Sequence, residues 1–289
     1  MITILDGGMS RELLRLGAPL RQPEWSALAL IESPGHVVEA HREFARAGAQ
    51  VLTTNAYAVV PFHLGEERFV NDGRRLAESA ARMCRDVAEE FGARVAGCLP
   101  PALGSYRPEA FDRVEAERIL SVLVEAQSAY VDLWLAETMS SIAEVELAAS
   151  VIAERCDRDL PVWMSFTVDD GDGTRLRSGE SVADAAAAAV GLGAAAVLFN
   201  CSHTDVMEAA IRAARSACDL PIGVYPNLFD EVEDTAANEI LHAVRADVDG
   251  GRYAGWADTW VDAGATMVGG CCGATAVHIA ALSAHLVAG

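Results

Sequence analysis

Short apolar runs, rich in Val and Ile or bounded by Gly and Pro, alternate along this chain with longer segments whose apolar positions recur at a helical period. That alternation is the signature of parallel strands joined by helical crossovers. The pattern predicts strands over residues 2–5, 51–57, 94–99, 133–138, 162–167, 195–200, 221–225 and 266–268. Predicted helices fill the intervals. The first runs from Pro34, with Ser33 as its cap, to a stop at Gly48. Others cover residues 70–91, 114–131, 142–155, 182–190, 205–217, 253–263 and 274–287, with a short one near 236–244. Eight such units average about 36 residues each, the size of a βα unit. The expected fold is therefore a (β/α)8 barrel occupying residues 1–289 as one domain, with an open doubly wound sheet as the alternative.

Composition narrows the class without changing the fold. The chain has 289 residues, 52% of them hydrophobic, so a large core is available. Its 42 acidic residues against 22 basic ones give a formal charge of −20, which argues against nucleic acid or an anionic membrane as partner. No apolar run approaches the roughly 20 residues of a membrane span. The start, Met1-Ile2-Thr3-Ile4-Leu5-Asp6, lacks the basic residues of an export signal. A cytoplasmic protein acting on small molecules, as a monomer or small homo-oligomer, is the expectation. Seven cysteines in such a protein read as reduced thiols or metal ligands. Cys84, Cys98, Cys156 and Cys218 lie among apolar or helical neighbours and read as small buried hydrophobes.

The other three cysteines carry the chemistry. Two are adjacent in Val268-Gly269-Gly270-Cys271-Cys272-Gly273, where flanking glycines let the backbone leave strand geometry so that both sulfurs can meet one centre. The third stands in Phe199-Asn200-Cys201-Ser202. In a barrel, active sites gather at the carboxyl ends of the strands, and alternate strands six and eight supply side chains to one layer. Three thiolates meeting there would make a soft zinc site with a coordination position left over. A buried structural pair or a vicinal disulfide is the plainer reading of Cys271-Cys272. His203, two residues past Cys201, is a weaker candidate ligand. Asp6, Asn55, Tyr57, Glu137 and Asn227 also fall at predicted strand ends.

Taken together, Leu5-Asp6-Gly7-Gly8-Met9, Thr53-Thr54-Asn55-Ala56-Tyr57, Glu137-Thr138-Met139, Asn200-Cys201-Ser202, Tyr225-Pro226-Asn227 and Gly269-Gly270-Cys271-Cys272-Gly273 resemble the homocysteine S-methyltransferase family. The likeness covers nearly the whole chain. It implies zinc ligands at Cys201, Cys271 and Cys272, contacts to the homocysteine amino group from Asp6 and Glu137, and a carboxylate received by the backbone around Gly7 and Gly8. The methyl donor would be a sulfonium, S-methylmethionine or S-adenosylmethionine, and the product methionine. Trp25 and Tyr57 are candidates for an aromatic wall beside a cationic donor, with Asn55, Met139 and Asn227 as further pocket residues. Asn55 and Thr138-Met139 stand where the betaine-using branch carries extra aromatics, which favours the sulfonium branch.

Other readings stay open. The donor could be betaine or the acceptor another thiol or a selenol. The chain could be the homocysteine-activating part of a split cobalamin-dependent methionine synthase, although the lack of cobalamin- or folate-binding modules implies a stand-alone enzyme. A non-catalytic metal or thiol sensor is a different class. So is a barrel lyase using Asp6 and Glu137 with an oxygen-ligated metal. The acidic segments 169–173 and 230–234 are expected to be solvated loops, with closure over the site as the alternative.

Overall fold

Eight parallel strands form one sheet in the order β1-β8-β7-β6-β5-β4-β3-β2. They are β1 (Thr3–Ile4), β2 (Val51–Thr53), β3 (Arg94–Leu99), β4 (Leu133–Met139), β5 (Val162–Phe166), β6 (Ala196–His203), β7 (Ile222–Asn227) and β8 (Met267–Val268). The two ends of that order meet. Leu5 bridges Val51 in parallel, and the Gln50 amide donates to the Ile4 carbonyl at 2.8 Å, so the sheet closes into the expected (β/α)8 barrel. This computed structural model describes residues 2–229, 245 and 248–287. The acidic segment 230–234 and the short helix expected near 236–244 lie outside the described residues.

The helices are α1 (Met9–Arg15), α2 (Ala27–Glu32), α3 (Pro34–Arg46), α4 (Pro61–Leu64), α5 (Glu66–Phe91), α6 (Arg113–Gln127), α7 (Ile142–Arg155), α8 (Val182–Gly191), α9 (Met207–Arg215), α10 (Gly250–Ala263) and α11 (Ala276–Leu286). Two apolar layers hold them to the sheet. Leu5, Val51, Leu133, Leu135, Leu198 and Met267 fill the barrel, while Phe44, Leu76, Leu123, Trp134, Val151 and Ile279 pack between strands and helices. The alternation along β4 shows the division, since Leu133 and Leu135 face inward and Trp134 outward. A capping box at Ser141 and Glu144 starts α7.

The departures from expectation fall mostly at the carboxyl ends of the strands. The second strand stops at Thr53 instead of residue 57, because the Ala56 amide turns back onto the Thr54 carbonyl at 2.7 Å. The sixth extends to His203 and the seventh to Asn227, with a register shift between Asn200 and His203 that inserts an irregularity beside the third cysteine. Helices α1, α2 and α4 were not expected; each is seven residues or shorter, too brief to show a period. Ser33 does occupy the residue before α3, yet its side chain makes no capping bond and Pro34 alone sets the first turn.

Candidate active site at the barrel mouth

A cavity partly open to solvent lies at the carboxyl ends of the strands. On one wall stand the sulfurs of Cys201, Cys271 and Cys272, all within 4.8 Å of one another. Within β6, Cys201 has a left-handed backbone (φ 51°), which interrupts the strand alternation just where the sulfur must turn toward the other two. The pair after β8 is placed by the backbone. The Cys271 amide donates to the Pro226 carbonyl at 2.9 Å, and the Leu228 amide donates to the Cys272 carbonyl at 2.8 Å. Gly8 lies so close to this turn that a Cβ there would run into the Cys271 carbonyl, and a Cβ on Gly270 would run into Ala274.

The donor set fits a metal ion. Tetrahedral zinc with bonds of about 2.3 Å to thiolates needs sulfurs roughly 3.8 Å apart. Cys201 and Cys272 are separated by 3.8 Å. Cys201 and Cys271 stand closer, paired as a disulfide with Cα atoms 5.8 Å apart. The same sulfurs thus admit an oxidised pair or a three-thiolate cage. Burial pushes the Cys272 thiol up to about 12, with Arg11 opposing the rise; a soft cation is the partner that would offset the cost of ionising it. His203 is not in the ligand cluster: its amide donates to Asp170 at 2.7 Å, and only thiols converge.

Two carboxylates line the same cavity. Asp6 accepts from the Thr53 amide at 2.6 Å and the Thr53 hydroxyl at 3.1 Å. Glu137 accepts from the Cys98 thiol at 2.8 Å and from the Tyr225 hydroxyl at 3.5 Å. Burial raises both to about 7, and for Asp6 the proximity of Glu137 adds to the rise. Such a pair is poised for a cation that would be shared between them. Cys98 is buried, as expected, but it is more than a core filler because its thiol holds Glu137. Cys84 fills the core and Cys218 is buried, as expected, and Cys156 is only half-buried.

Asn200 ties this arrangement to the sulfurs. Its side-chain oxygen accepts from the Thr138 amide at 2.9 Å and from the Ser165 hydroxyl at 2.7 Å. Its amide nitrogen donates to the Thr138 hydroxyl at 2.8 Å and lies 3.9 Å from the Cys271 sulfur. Thr138 also has a left-handed backbone, φ 61°. Among the described residues, four non-glycine positions have positive φ: Trp25, Tyr106, Thr138 and Cys201. Three line the cavity and the fourth follows Glu137, so backbone strain is concentrated at the site.

Of the pocket residues expected from the sequence, Gly7, Gly8, Trp25, Asn55 and Tyr57 line the cavity. The Gly8 amide already donates to the Ala274 carbonyl at 2.8 Å. Trp25 meets Tyr57 edge-on at 5.8 Å between centroids and stacks on His63 at 5.7 Å. Met139 and Asn227 do not line it. The left-handed turn at Thr138 breaks the alternation and sends Met139 into a separate apolar space beside Pro100, Leu103 and Leu120. Asn227 is buried with its oxygen accepting from the Phe229 amide at 3.3 Å, and Phe229 reaches the cavity in its place. Sequence reasoning missed Arg11, Ser105, Tyr106, Tyr225 and Phe229. The signal for Ser105 and Tyr106 is an aromatic in the loop after β3, which with β5 is one of two strands given no end residue from the sequence.

Fold and site together define a parallel (β/α)8 barrel whose mouth carries a cysteine-rich centre able to hold a metal, set beside two buried carboxylates. The chain belongs to the homocysteine S-methyltransferase family, whose model matches residues 3–286. It is 30% identical to the homocysteine S-methyltransferase of Escherichia coli, the alignment covering 98% of this chain and 95% of that one. The metallated form of the Escherichia coli homocysteine methyltransferase MmuM superposes with a TM-score of 0.77 at 28% identity, covering 98% of this chain and 96% of that one. The oxidized form of that enzyme gives the same TM-score and identity, covering 98% and 95%. No described helix is long and apolar enough to cross a membrane.

Proposed function

We propose that this protein makes methionine by moving a methyl group from a sulfonium donor to homocysteine, with zinc held by Cys201, Cys271 and Cys272. The observation that carries the reading is three converging sulfurs beside a cavity that also presents Asp6 and Glu137. Zinc bound there would supply a cation that keeps the homocysteine sulfur as thiolate, the nucleophilic form of a group whose pKa is otherwise about 8.5.

The chain's own residues do the positioning. Asp6 and Glu137 both line the cavity and would hold the homocysteine ammonium between them. Asn200 fixes the strand end that carries Cys201. Trp25 and Tyr57 offer aromatic faces to a donor cation, and burial keeps the Tyr57 phenol protonated by raising its pKa well above the usual value. The sulfur of homocysteine attacks the donor methyl carbon; the new C–S bond forms as the sulfonium C–S bond breaks, and the donor leaves with the electron pair as a neutral thioether. The thiol proton would be lost to solvent when homocysteine binds as thiolate, and none moves in the transfer itself, so no general base is required at that step. Because the ligands must be thiolates, the protein would work in a reducing compartment, as the cytoplasm is.

The test pairs metal with turnover. Zinc-loaded protein should form methionine from homocysteine with S-methylmethionine or S-adenosylmethionine faster than with the quaternary ammonium betaine, and the rate with dimethylsulfoniopropionate separates a general sulfonium donor site from an amino-acid one. Cys272→Ala should lose bound zinc and methionine formation together. Full activity in that variant without metal would overturn the zinc reading, and tight metal binding with no turnover for any donor would make the protein a sensor.

A further inference from the structure

We propose that Arg177 is a positioning residue for the methyl donor, holding the Tyr106 ring as a wall of the cavity that Trp25 and Tyr57 also line. The inference rests on the donor reading above. Tyr106 lies in the loop after β3, lines the cavity and has a left-handed backbone, φ 63°. A non-glycine residue keeps that conformation only where its surroundings enforce it. Two contacts do so. The neighbouring Ser105 hydroxyl is 2.6 Å from the Tyr57 hydroxyl, and the Arg177 guanidinium lies over the Tyr106 ring at 4.4 Å from its centroid.

Arg177 is itself clamped. Its Nη2 meets Asp170 at 2.6 Å and its Nε donates to the Thr167 hydroxyl at 3.0 Å. The two side chains of the ion pair are only 9% and 16% exposed, so the pair is shielded from the screening that weakens surface bridges. The second oxygen of Asp170 accepts from the His203 amide, and Thr167 lies 3.0 Å from the Ser202 hydroxyl. A line of contacts thus runs from the residues after Cys201, through the loop after β5, to an aromatic ring at the mouth. Segment 169–173 is accordingly tied down at Asp170, whereas the carboxylates of Asp169 and Asp172 accept from amides of the same loop, at Gly171, Asp172 and Thr174.

The charges suit a cationic ligand. A guanidinium alone on one face of Tyr106 would repel a sulfonium on the other, but Asp170 neutralises it. The ring is left as a rigid wall, oriented by a planar fork that a lysine cannot reproduce. Arg177 touches no reacting atom, so its removal should disturb donor placement and leave homocysteine and metal alone.

The experiment uses zinc-loaded enzyme, S-methylmethionine and homocysteine. In Arg177→Ala the KM for S-methylmethionine should rise roughly tenfold with kcat within about twofold. Homocysteine affinity by calorimetry and zinc per chain should match the parent. Arg177→Lys should lose less, and Tyr106→Ala should reproduce Arg177→Ala. Unchanged donor KM, or equal losses for both substrates and zinc, would overturn the proposal and reduce Arg177 to a brace. If the parent enzyme turns over no sulfonium at all while binding homocysteine, the donor reading fails first and takes this one with it.

Discussion

The two sides of the barrel that meet at the site are built differently. From one side, β4 and β6, seven and eight residues long, bring Glu137 and Cys201. From the other, β1 and β8, two residues each, bring Asp6, Cys271 and Cys272. Each side thus supplies one carboxylate and part of the thiol cluster. On the long side the functional groups are held by side chains: Asn200 to Thr138 and Ser165, and Cys98 and Tyr225 to Glu137. On the short side most supports are backbone groups, with the Thr53 hydroxyl on Asp6 and the Tyr253 hydroxyl as the side-chain exceptions. The Gly270 amide donates to the Asp6 carbonyl, the Gly8 amide to the Ala274 carbonyl and the Cys271 amide to the Pro226 carbonyl, while the Tyr253 hydroxyl donates to the Gly269 carbonyl. The long side should therefore fail when atoms are deleted, and the short side when they are added.

The largest effect is expected on the short side. Gly8→Ala places a methyl against the Cys271 carbonyl and should displace the Cys271-Cys272 turn. Overpacking of this kind costs about 1–3 kcal/mol or more. Zinc per chain and thermal midpoint should fall together, measured by metal analysis and calorimetry; a variant that keeps full zinc and midpoint would show that the turn is not set by backbone crowding.

On the long side, Asn200→Ala leaves the Thr138 amide and the Ser165 hydroxyl without their buried partner. The cost should be about 2 kcal/mol of stability, since an orphaned buried polar group costs ~1–3 kcal/mol. Methionine formation should fall more than zinc content, because Cys271 and Cys272 keep their backbone supports. Chemical denaturation alongside turnover checks both.

A smaller effect sharpens the carboxylate half of the comparison. Asp6 and Glu137 have pKa values raised to about 7, chiefly by burial, from ordinary values near 4. A carboxyl raised on folding contributes stability below its unfolded value, and that contribution is lost as pH climbs through about 7. The ligand-free protein should therefore have a lower midpoint at pH 8 than at pH 6. Glu137→Gln should flatten that difference while weakening homocysteine binding by roughly 100-fold, the scale of a lost buried ion pair. A variant that gains nothing at pH 8 would remove Glu137 from the account.

What could be read from the sequence follows the same division. The barrel and its strand starts were legible because their apolar period is set by burial alone, as at Leu133, Trp134 and Leu135. The three cysteines were legible because Gly-Gly-Cys-Cys-Gly and a strand-end Asn-Cys are rare arrangements. Met139 and Asn227 were misplaced because alternation was carried one step past the point where Thr138 and the β7 end abandon it. Cys98 passed as core because a thiol on a buried strand gives no sign of the carboxylate across from it. Tyr106 was missed because the residue stacked on its ring, Arg177, sits far along the chain on another loop.

The central claim is that three sulfurs from the two sides grip one ion and leave it room for the sulfur of homocysteine. X-ray absorption at the zinc edge measures this directly. The loaded protein should show three sulfur neighbours at about 2.3 Å and one lighter atom, becoming four sulfurs when homocysteine is added. A first shell that contains fewer than three sulfurs, or one that does not change with homocysteine, would contradict it.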